Sequence, residues 1–362
     1  ALSNVTIGNL VGNQTLGYMS ATANSSQVSS NGANFITAIT LTNGANGGLV
    51  GNYQLPTLNL ANAPVTINKA PLGISANGTY KGSATYANLS GGTGLIQVNG
   101  TMGGETISAI TVTLANASVV ANNYITSLTV VTGTANMNNY VLGSTYNATL
   151  GNTLNSFVMA KVNLGITANS TSTQYGLGTT LGTTAFTSTG LVNSETIGGV
   201  TLTSTGSAAT AAVGSYSITP SAATGGTFTA SNYNITYTNG TLTLTKAPLT
   251  LAATNISRAY GAANPTTDTV GVTVGALYNT DVLGNATVAV TAAANLAAGS
   301  TANMTTSNVV FTSGLASNYN ISYANGTLTI AKANLTLTPN AKSTQYGLGS
   351  TLLGTEIGRA HV

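Results

Sequence analysis

The stretch NYNITYTNGTLTLT, residues 232–245, decides the fold class predicted for this chain of 362 residues. Tyr, Ile and Leu alternate in it with Asn and Thr, which is the period-two pattern of a β-strand with one buried face. Nearly the same letters, NYNISYANGTLTI, return at residues 318–330. The Asn-Gly pair inside each stretch predicts a β-hairpin, because both central residues of a type I′ turn need a positive φ. With no helical pattern of ten residues elsewhere, the sequence predicts an all-β protein.

The chain is built from repeats. Each repeat opens with a lysine, and these lysines are Lys69, Lys161, Lys246 and Lys332, at spacings of 92, 85 and 86 residues. A tyrosine in a glycine-containing turn follows each of them, at Tyr80, Tyr175, Tyr260 and Tyr346. A continuous β-solenoid would have a period of about 20 to 30 residues. The longer period predicts a tandem array of small domains.

Charged residues are scarce in this sequence. Eight Lys or Arg and five Asp or Glu give a net charge of +3, and the chain has no Cys and one His. General acid–base pairs, metal clusters and thiol chemistry need residue types that the chain barely contains. We therefore expect no enzyme, no catalytic residues, no cofactor and no metal site. Lys and Arg are too dispersed for nucleic-acid binding, and no apolar run reaches the roughly 18 residues of a transmembrane segment.

Three of the five acids recur at one position of the repeat. Glu105, Glu195 and Asp281 lie 36, 34 and 35 residues after the lysine that opens their repeat. One copy per repeat predicts a role in a turn or at a strand end, since a catalytic acid would not need to recur. Asp268 shares a repeat with Asp281 and could meet it as a carboxylate pair. With no His or third acid nearby, we do not predict a hydrolase.

Tyrosine is the main aromatic residue, with 16 copies. Tyr233, Tyr237, Tyr319 and Tyr323 stand at alternate positions of the two closing stretches. This alternation predicts that they pack in the core. The alternative is an exposed tyrosine surface that stacks on sugars.

The order of motifs resembles a known family. Lys246-Ala247-Pro248-Leu249, Tyr260-Gly261 and the closing stretch 318–330 together resemble the MBG repeat, YGX type, of bacterial surface proteins. The repeat that opens at Lys69 is similar to the related YDG domain, although Lys81 stands where that name expects Asp. Such repeats occur in large filamentous-haemagglutinin-like exoproteins and other adhesins. The resemblance implies a surface-exposed or secreted repeat protein, and it implies no catalytic residues.

These repeats give the predicted domain organisation. Residues 1–68 are a partial YDG-like repeat, 69–160 a YDG-like repeat, 161–245 and 246–331 MBG-like repeats, and 332–355 the start of another MBG-like repeat. We expect each to be a small Ig-like β-sandwich, with a β-grasp-like unit as the alternative, and the whole array to be elongated. The last residues, 356–362, match no part of the repeat and contain the single histidine, His361. We interpret EIGRAHV as an artefact, the in-frame translation of a sequencing adapter.

The predicted function is a non-enzymatic stalk of a bacterial adhesin, acting as a spacer and through weak multivalent contacts. The expected location is extracellular or at the bacterial cell surface, associated with the outer membrane. The expected partners are a surface ligand on a host or neighbouring cell, such as a glycan, and an outer-membrane secretion partner. The alternative is an array of carbohydrate-binding modules.

Overall fold

The computed structural model describes residues 6–91, 95–143, 155–339 and 345–347. Over these ranges the chain forms β-strands and one-turn 3-10 helices and contains no α-helix. The all-β prediction is confirmed. The described ranges do not include residues 356–362, on which the predicted adapter artefact falls, and they include only 332–339 and 345–347 of the predicted repeat start at 332–355.

The strands are numbered in chain order. Before position 69 they are β1 (Leu16–Ala23) and β2 (Ile36–Asn43). Those between 69 and 160 are β3 (Ala70–Thr79), β4 (Thr85–Ser90), β5 (Ile96–Asn99), β6 (Ile107–Leu114), β7 (Ile125–Gly133), β8 (Tyr140–Leu142) and β9 (Asn155–Ala160). Those between 161 and 245 are β10 (Val162–Ala168), β11 (Thr171–Gln174), β12 (Phe186–Thr189), β13 (Ile197–Thr203), β14 (Gly214–Gly226), β15 (Tyr233–Thr238) and β16 (Gly240–Thr245).

Within the described ranges, nine strands follow Lys246. They are β17 (Ala247–Ala253), β18 (Ile256–Ala259), β19 (Thr267–Gly275), β20 (Val282–Leu283), β21 (Asn285–Val290), β22 (Thr301–Ser307), β23 (Phe311–Ser313), β24 (Tyr319–Ala324) and β25 (Gly326–Ala331). The 3-10 helices are Val28–Ser30, Val50–Asn52, Met137–Asn139, Thr205–Ser207, Ala230–Asn232 and Ala316–Asn318. Three of them end directly before Tyr140, Tyr233 and Tyr319.

The chain forms two compact units. Unit 1 contains Ala1–Leu164, Gly190–Ile197 and Gly225–Thr236, and unit 2 contains Gly165–Thr189, Gly198–Thr224 and Tyr237–Val362. In unit 1, β1 pairs with β2, β3 pairs with β5, β8 and β9, and β6 lies between β4 and β7. Its core contains fully buried side chains that alternate along the strands, at Leu72, Ile74, Ile110 and Val112.

Unit 2 contains a four-stranded sheet in the order β11-β16-β14-β13 and a seven-stranded sheet in the order β18-β25-β22-β21-β19-β17-β24. Ala168 of β10 packs on Ile218, Leu242 and Leu244 of the four-stranded sheet, so apolar faces of two sheets bury each other. This packing agrees with the predicted sandwich, whereas a β-grasp unit would place an α-helix on the sheet.

The predicted Asn-Gly hairpins are wrong. β15 lies in the sheet β12-β10-β15, whereas β16 pairs in parallel with β11 and antiparallel with β14. Likewise β24 pairs with β17 and β25 pairs with β18, in both cases in parallel. Neither Gly240 nor Gly326 has a positive φ. At Asn239-Gly240 the chain therefore passes from one sheet to another, and at Asn325-Gly326 it passes between strands near opposite ends of the seven-stranded sheet.

The glycines are needed there because two backbones approach closely. A Cβ at Gly240 would lie 2.5 Å from the carbonyl oxygen of Ala168, and one at Gly326 would lie 2.8 Å from that of Ala253. Real Cβ atoms do not approach other heavy atoms so closely. The Asn-Gly signal therefore marks a close approach of strands rather than a tight turn.

Candidate functional site: a recurring tyrosine–carboxylate junction

One tyrosine of each repeat is placed at the end of its repeat by a backbone hydrogen bond. The N–H groups of Tyr80, Tyr175 and Tyr260 donate to the carbonyl oxygens of Ala160, Thr245 and Ala331, each at 2.9 Å. Those carbonyls belong to the residues directly before Lys161, Lys246 and Lys332. These three tyrosines, called here the end tyrosines, therefore stand where the next repeat begins.

A second tyrosine is placed at the start of its repeat. In the parallel pairs of β3 with β8 and of β17 with β24, Tyr140 stands opposite Ala70 and Tyr319 stands opposite Ala247. Both partners directly follow the opening lysine. We call Tyr140, Tyr233 and Tyr319 the start tyrosines, since Tyr233 begins β15 in the same way, after a 3-10 helix.

The recurring acid sits in a turn beside the start tyrosine. The N–H groups of Glu105, Glu195 and Asp281 donate to the carbonyl oxygens three residues earlier, at 3.0 to 3.1 Å. Those same earlier residues, Met102, Val192 and Tyr278, donate their own N–H groups to the hydroxyls of Tyr140, Tyr233 and Tyr319. The predicted turn role of the acids agrees with this geometry.

Unit 1 contains one complete contact of an end tyrosine, an acid and a start tyrosine. Tyr233 donates its hydroxyl to Oε2 of Glu195 at 2.5 Å, and Tyr80 donates to Oε1 of the same carboxylate. The two tyrosine rings meet edge to face, with centroids 5.6 Å apart and planes at 81°. Both rings are buried, with 5% and 3% of Tyr80 and Tyr233 exposed.

Unit 2 repeats this arrangement with Asp in place of Glu. Oδ2 of Asp281 accepts hydrogen bonds from Tyr319 at 2.6 Å and from Tyr175 at 3.0 Å. The rings of Tyr175 and Tyr319 are 5.5 Å apart at 80°. They share a buried cluster with Leu249 and Leu251. The same geometry therefore forms twice, across two different pairs of repeats.

Glu105 makes the same contact with a start tyrosine. Its Oε2 accepts from the hydroxyl of Tyr140 at 2.5 Å, and the backbone N–H of Met102 donates to that hydroxyl at 2.9 Å. No end tyrosine among the described residues bonds to Glu105. Among the described residues, the contact between the acid and the start tyrosine thus forms here without an end tyrosine.

Burial beside a carboxylate changes the acidity of the tyrosines. Burial, and then the hydrogen bond to Glu195, raises the pKa of Tyr80 and of Tyr233 to about 12. Burial and the hydrogen bond to Asp281 raise the pKa of Tyr319 well above its usual value. The pKa of Tyr140 is also raised, first by the hydrogen bond to Glu105 and second by burial. These hydroxyls therefore remain donors far above neutral pH.

The contact of an end tyrosine, an acid and a start tyrosine is called here the junction. Asparagine and glycine residues complete it. The asparagine before each start tyrosine accepts a backbone N–H from a valine of the preceding sequence; these pairs are Asn139 with Val28, Asn232 with Val119 and Asn318 with Val213, at 3.0, 2.7 and 3.0 Å. Gly82 and Gly176 have φ of +71° and +87°. Added Cβ atoms there would overlap Asn193 and the Tyr278 ring. The glycine after the end tyrosine is therefore required by both its φ and its contact.

The structure keeps the other candidate residues apart. Asp268 accepts a hydrogen bond from Oγ1 of Thr254 at 2.9 Å, while Asp281 is held by the two tyrosines, so each carboxylate has its own partners. Tyr237 and Tyr323 are 39% and 38% exposed, so the core prediction is wrong for them. Their hydroxyls accept hydrogen bonds from the N–H of Ala223 in β14 and from that of Val309 between β22 and β23.

The pairing of tyrosines with acids was not foreseen from the sequence. The sequence does contain one signal for the pairing, which is a regular spacing. In each repeat with a recurring acid, a start tyrosine follows that acid by 35 or 38 residues. In the described part of the chain, no three His, Cys, Asp or Glu side chains lie close enough to hold a metal ion. No helix within the described ranges has the length and hydrophobicity needed to cross a membrane.

Comparison with known proteins identifies the repeats that carry the unit 2 junction. A family model described as the MBG domain (YGX type) matches residues 164–243 and 249–329. The two matches include Tyr175-Gly176 and Tyr260-Gly261, the Tyr-Gly pairs of the end tyrosines. A search of curated proteins found no match. Residues 164–243 and 249–329 of this chain are two tandem MBG domains of the YGX type.

Proposed function

We propose that this chain is part of the stalk of a bacterial adhesin of the filamentous-haemagglutinin-like kind. MBG domains are repeat domains of surface and secreted proteins. The observation that carries the proposal is the buried contact of two tyrosines and one carboxylate, which forms in the same geometry around Glu195 and around Asp281. Repetition of one junction suits a spacer and has no counterpart in single-site catalysis, so we propose a non-enzymatic role.

The connections between consecutive repeats support a spacer. Lys161 alone separates β9 from β10, and Lys246 alone separates β16 from β17. A one-residue connection leaves little freedom between the last strand of one repeat and the first strand of the next. Together with the buried tyrosines, it would hold consecutive repeats at a fixed spacing.

We also propose a location and partners for the spacer. The protein would act outside the cell or at the bacterial surface, associated with the outer membrane, after transport by an outer-membrane secretion partner. Its few charges and many Thr, Asn and Ser side chains give a neutral, hydrated surface. The stalk would carry a binding tip toward a ligand on a host or neighbouring cell and add weak multivalent contacts of its own.

Small-angle X-ray scattering of the full chain tests the spacer role. A compact globule of this length would have a radius of gyration of about 21 Å, whereas four beads of about 30 Å in a row would have one of about 35 Å. The proposal expects the larger value, unchanged between low and moderate protein concentration. A value close to that of the globule would refute a spacer.

A carbohydrate-binding array is the second candidate, and one observation favours it. Tyr237 and Tyr323 occupy the same position in consecutive repeats, and both expose more than a third of their surface. Aromatic rings presented at a regular spacing can stack on sugar units. Binding to a glycan array that is lost in the double variant Tyr237→Ala and Tyr323→Ala would favour this candidate, and equal binding by the variant would exclude these tyrosines as its site.

A further inference from the structure

We propose that the face around Tyr260 is a docking surface for a further MBG domain joined in tandem. This inference concerns how repeats join, so it stands or falls separately from the adhesin role. Tyr260 is the third end tyrosine, and its N–H donates to the carbonyl oxygen of Ala331 at 2.9 Å, as the other two do to Ala160 and Thr245. Gly261 has φ +80°, close to the +87° of Gly176. The local backbone of a junction is therefore already formed.

Tyr260 differs from the other two end tyrosines in its exposure. Tyr260 is 45% exposed, whereas Tyr80 and Tyr175 are 5% and 3% exposed. A Cβ at Gly261 would meet nothing within 4 Å, whereas one at Gly176 would overlap the ring of Tyr278. The hydroxyl of Tyr260 has no hydrogen-bond partner among the described residues. Judged from the described residues, the same structural element is thus closed at two repeats and open at the third.

The two closed junctions define the chemistry of the occupant. Each end tyrosine is met by a five-residue turn, LVNSE at 191–195 or LYNTD at 277–281. Its acid accepts the tyrosine hydroxyl, and its asparagine, Asn193 or Asn279, adopts a positive φ and contacts the preceding repeat. The occupant of the Tyr260 face would supply such a turn, followed by a start tyrosine for the edge-to-face ring contact.

A positive charge beneath this face favours an acidic turn. Arg258, two residues before Tyr260, is 8% exposed and donates to the carbonyl oxygens of Ala259, Ala293 and Ala294 and to Oδ1 of Asn264. None of these partners is a carboxylate, so no negative charge among the described residues offsets that of the guanidinium. Such a buried charge attracts an approaching carboxylate more strongly than a solvated one does. Neither of the other two end tyrosines has an arginine at this position.

Insertion of one more repeat into the full chain tests the proposal. A second copy of residues 246–331 is placed between Ala331 and Lys332, so that its acidic turn can reach Tyr260. The inserted copy carries Tyr260→Phe, so that the peptide with the original Tyr260 is distinguishable by mass. Nitration of tyrosines by tetranitromethane, mapped by mass spectrometry, reports how accessible each ring is. In the unmodified chain Tyr260 should react rapidly and Tyr175 slowly. In the extended chain the reaction of Tyr260 should slow by about tenfold, because its hydroxyl gains a charged acceptor.

The control is the same insertion with Asp281→Ala in the inserted copy only, which should restore rapid reaction at Tyr260. Equal reactivity of Tyr260 in the unmodified and extended chains would overturn the proposal. So would protection of Tyr260 in the unmodified chain that grows with protein concentration, because it would mean docking between separate chains. If circular dichroism shows that the insertion fails to fold, residues 161–245 are inserted instead, and the same two outcomes decide.

Discussion

Tyr175 and Asp281 are 106 positions apart in the chain, and the hydroxyl of Tyr175 donates to Oδ2 of Asp281 at 3.0 Å. Tyr175 lies in the first MBG domain and Asp281 in the second. Tyr319 donates to the same oxygen from within the second domain, at 2.6 Å. A single carboxylate thus links the end of one domain to the start of the next, which accounts for its recurrence once per repeat.

Removal of this carboxylate should loosen the junction. Asp281→Ala leaves the hydroxyls of Tyr175 and Tyr319 without their acceptor, and each unsatisfied buried group costs about 1–3 kcal/mol. We expect the opening free energy of the 277–283 segment to fall by about 2–4 kcal/mol. Hydrogen exchange with mass spectrometry measures this opening free energy. Asp268→Ala is the control. Among the described residues the Asp268 carboxylate accepts a hydrogen bond from Thr254 alone, so this variant should cost under about 1 kcal/mol. Equal effects of both variants would contradict the assignment.

The end tyrosines offer a matched comparison of a closed and an open face. Tyr175→Phe removes the donor to Asp281 and should destabilise unit 2 by about 1–2 kcal/mol. Tyr260→Phe removes a hydroxyl of an exposed ring and should change stability by less than about 0.5 kcal/mol. Urea unfolding followed by tyrosine fluorescence compares the two. A Tyr260→Phe variant as unstable as Tyr175→Phe would show that the hydroxyl matters for reasons outside the junction.

High pH should weaken the unit 1 junction. The pKa values of Tyr80 and Tyr233 are raised to about 12 in the folded protein, from about 10 in an unfolded chain. Between these values the native state holds more protons than the unfolded state, so stability falls as pH rises. The contribution is complete below about pH 10 and is lost as pH rises through about 12.

Ultraviolet absorption of tyrosinate follows this titration. Tyrosines of an unfolded chain ionise near pH 10, and in the folded protein a second component should appear near pH 12. The double variant Tyr80→Phe and Tyr233→Phe should reduce that second component. A single titration near pH 10 in the unmodified protein would show that the junction tyrosines are not protected.

The two Tyr-Gly pairs separate backbone strain from contact at the junction. Gly176→Ala and Gly261→Ala both place an alanine at a positive φ, which costs roughly 1 kcal/mol. Only at Gly176 would the new Cβ overlap a neighbouring ring, that of Tyr278. We expect Gly176→Ala to cost about 1–3 kcal/mol more than Gly261→Ala. Thermal unfolding of the two variants measures the difference, and equal melting temperatures would mean that Tyr278 does not cover Gly176.

The sequence alone predicts the strands well and their partners badly. Alternation of Leu242 and Leu244 with Thr is a local property of the chain, and it places β16 correctly. The partner of a strand depends on distant residues, so Asn239-Gly240 predicts a hairpin although β16 pairs with β11 and β14. A local turn signal does not distinguish two reasons for a glycine. One is a positive φ, and the other is the close approach of another backbone segment, as at Gly240.

The candidate site was predicted in part for a similar reason. Recurrence of Glu195 and Asp281 at one position of the repeat correctly indicated a turn. Their tyrosine partners from the preceding repeat, Tyr80 and Tyr175, lie 115 and 106 positions away. Only the fold brings these residues together, because it places the end of one repeat beside the start of the next.

A double-mutant cycle between Tyr175 and Asp281 tests the junction most directly. Tyr175→Phe, Asp281→Asn and the double variant are made in the full chain, and hydrogen exchange gives the opening free energy of the 277–283 segment in each. Because the two side chains share one hydrogen bond, we predict a coupling free energy of about 1–2 kcal/mol. Additive effects, with a coupling free energy near zero, would contradict the claim that this pair joins consecutive MBG domains.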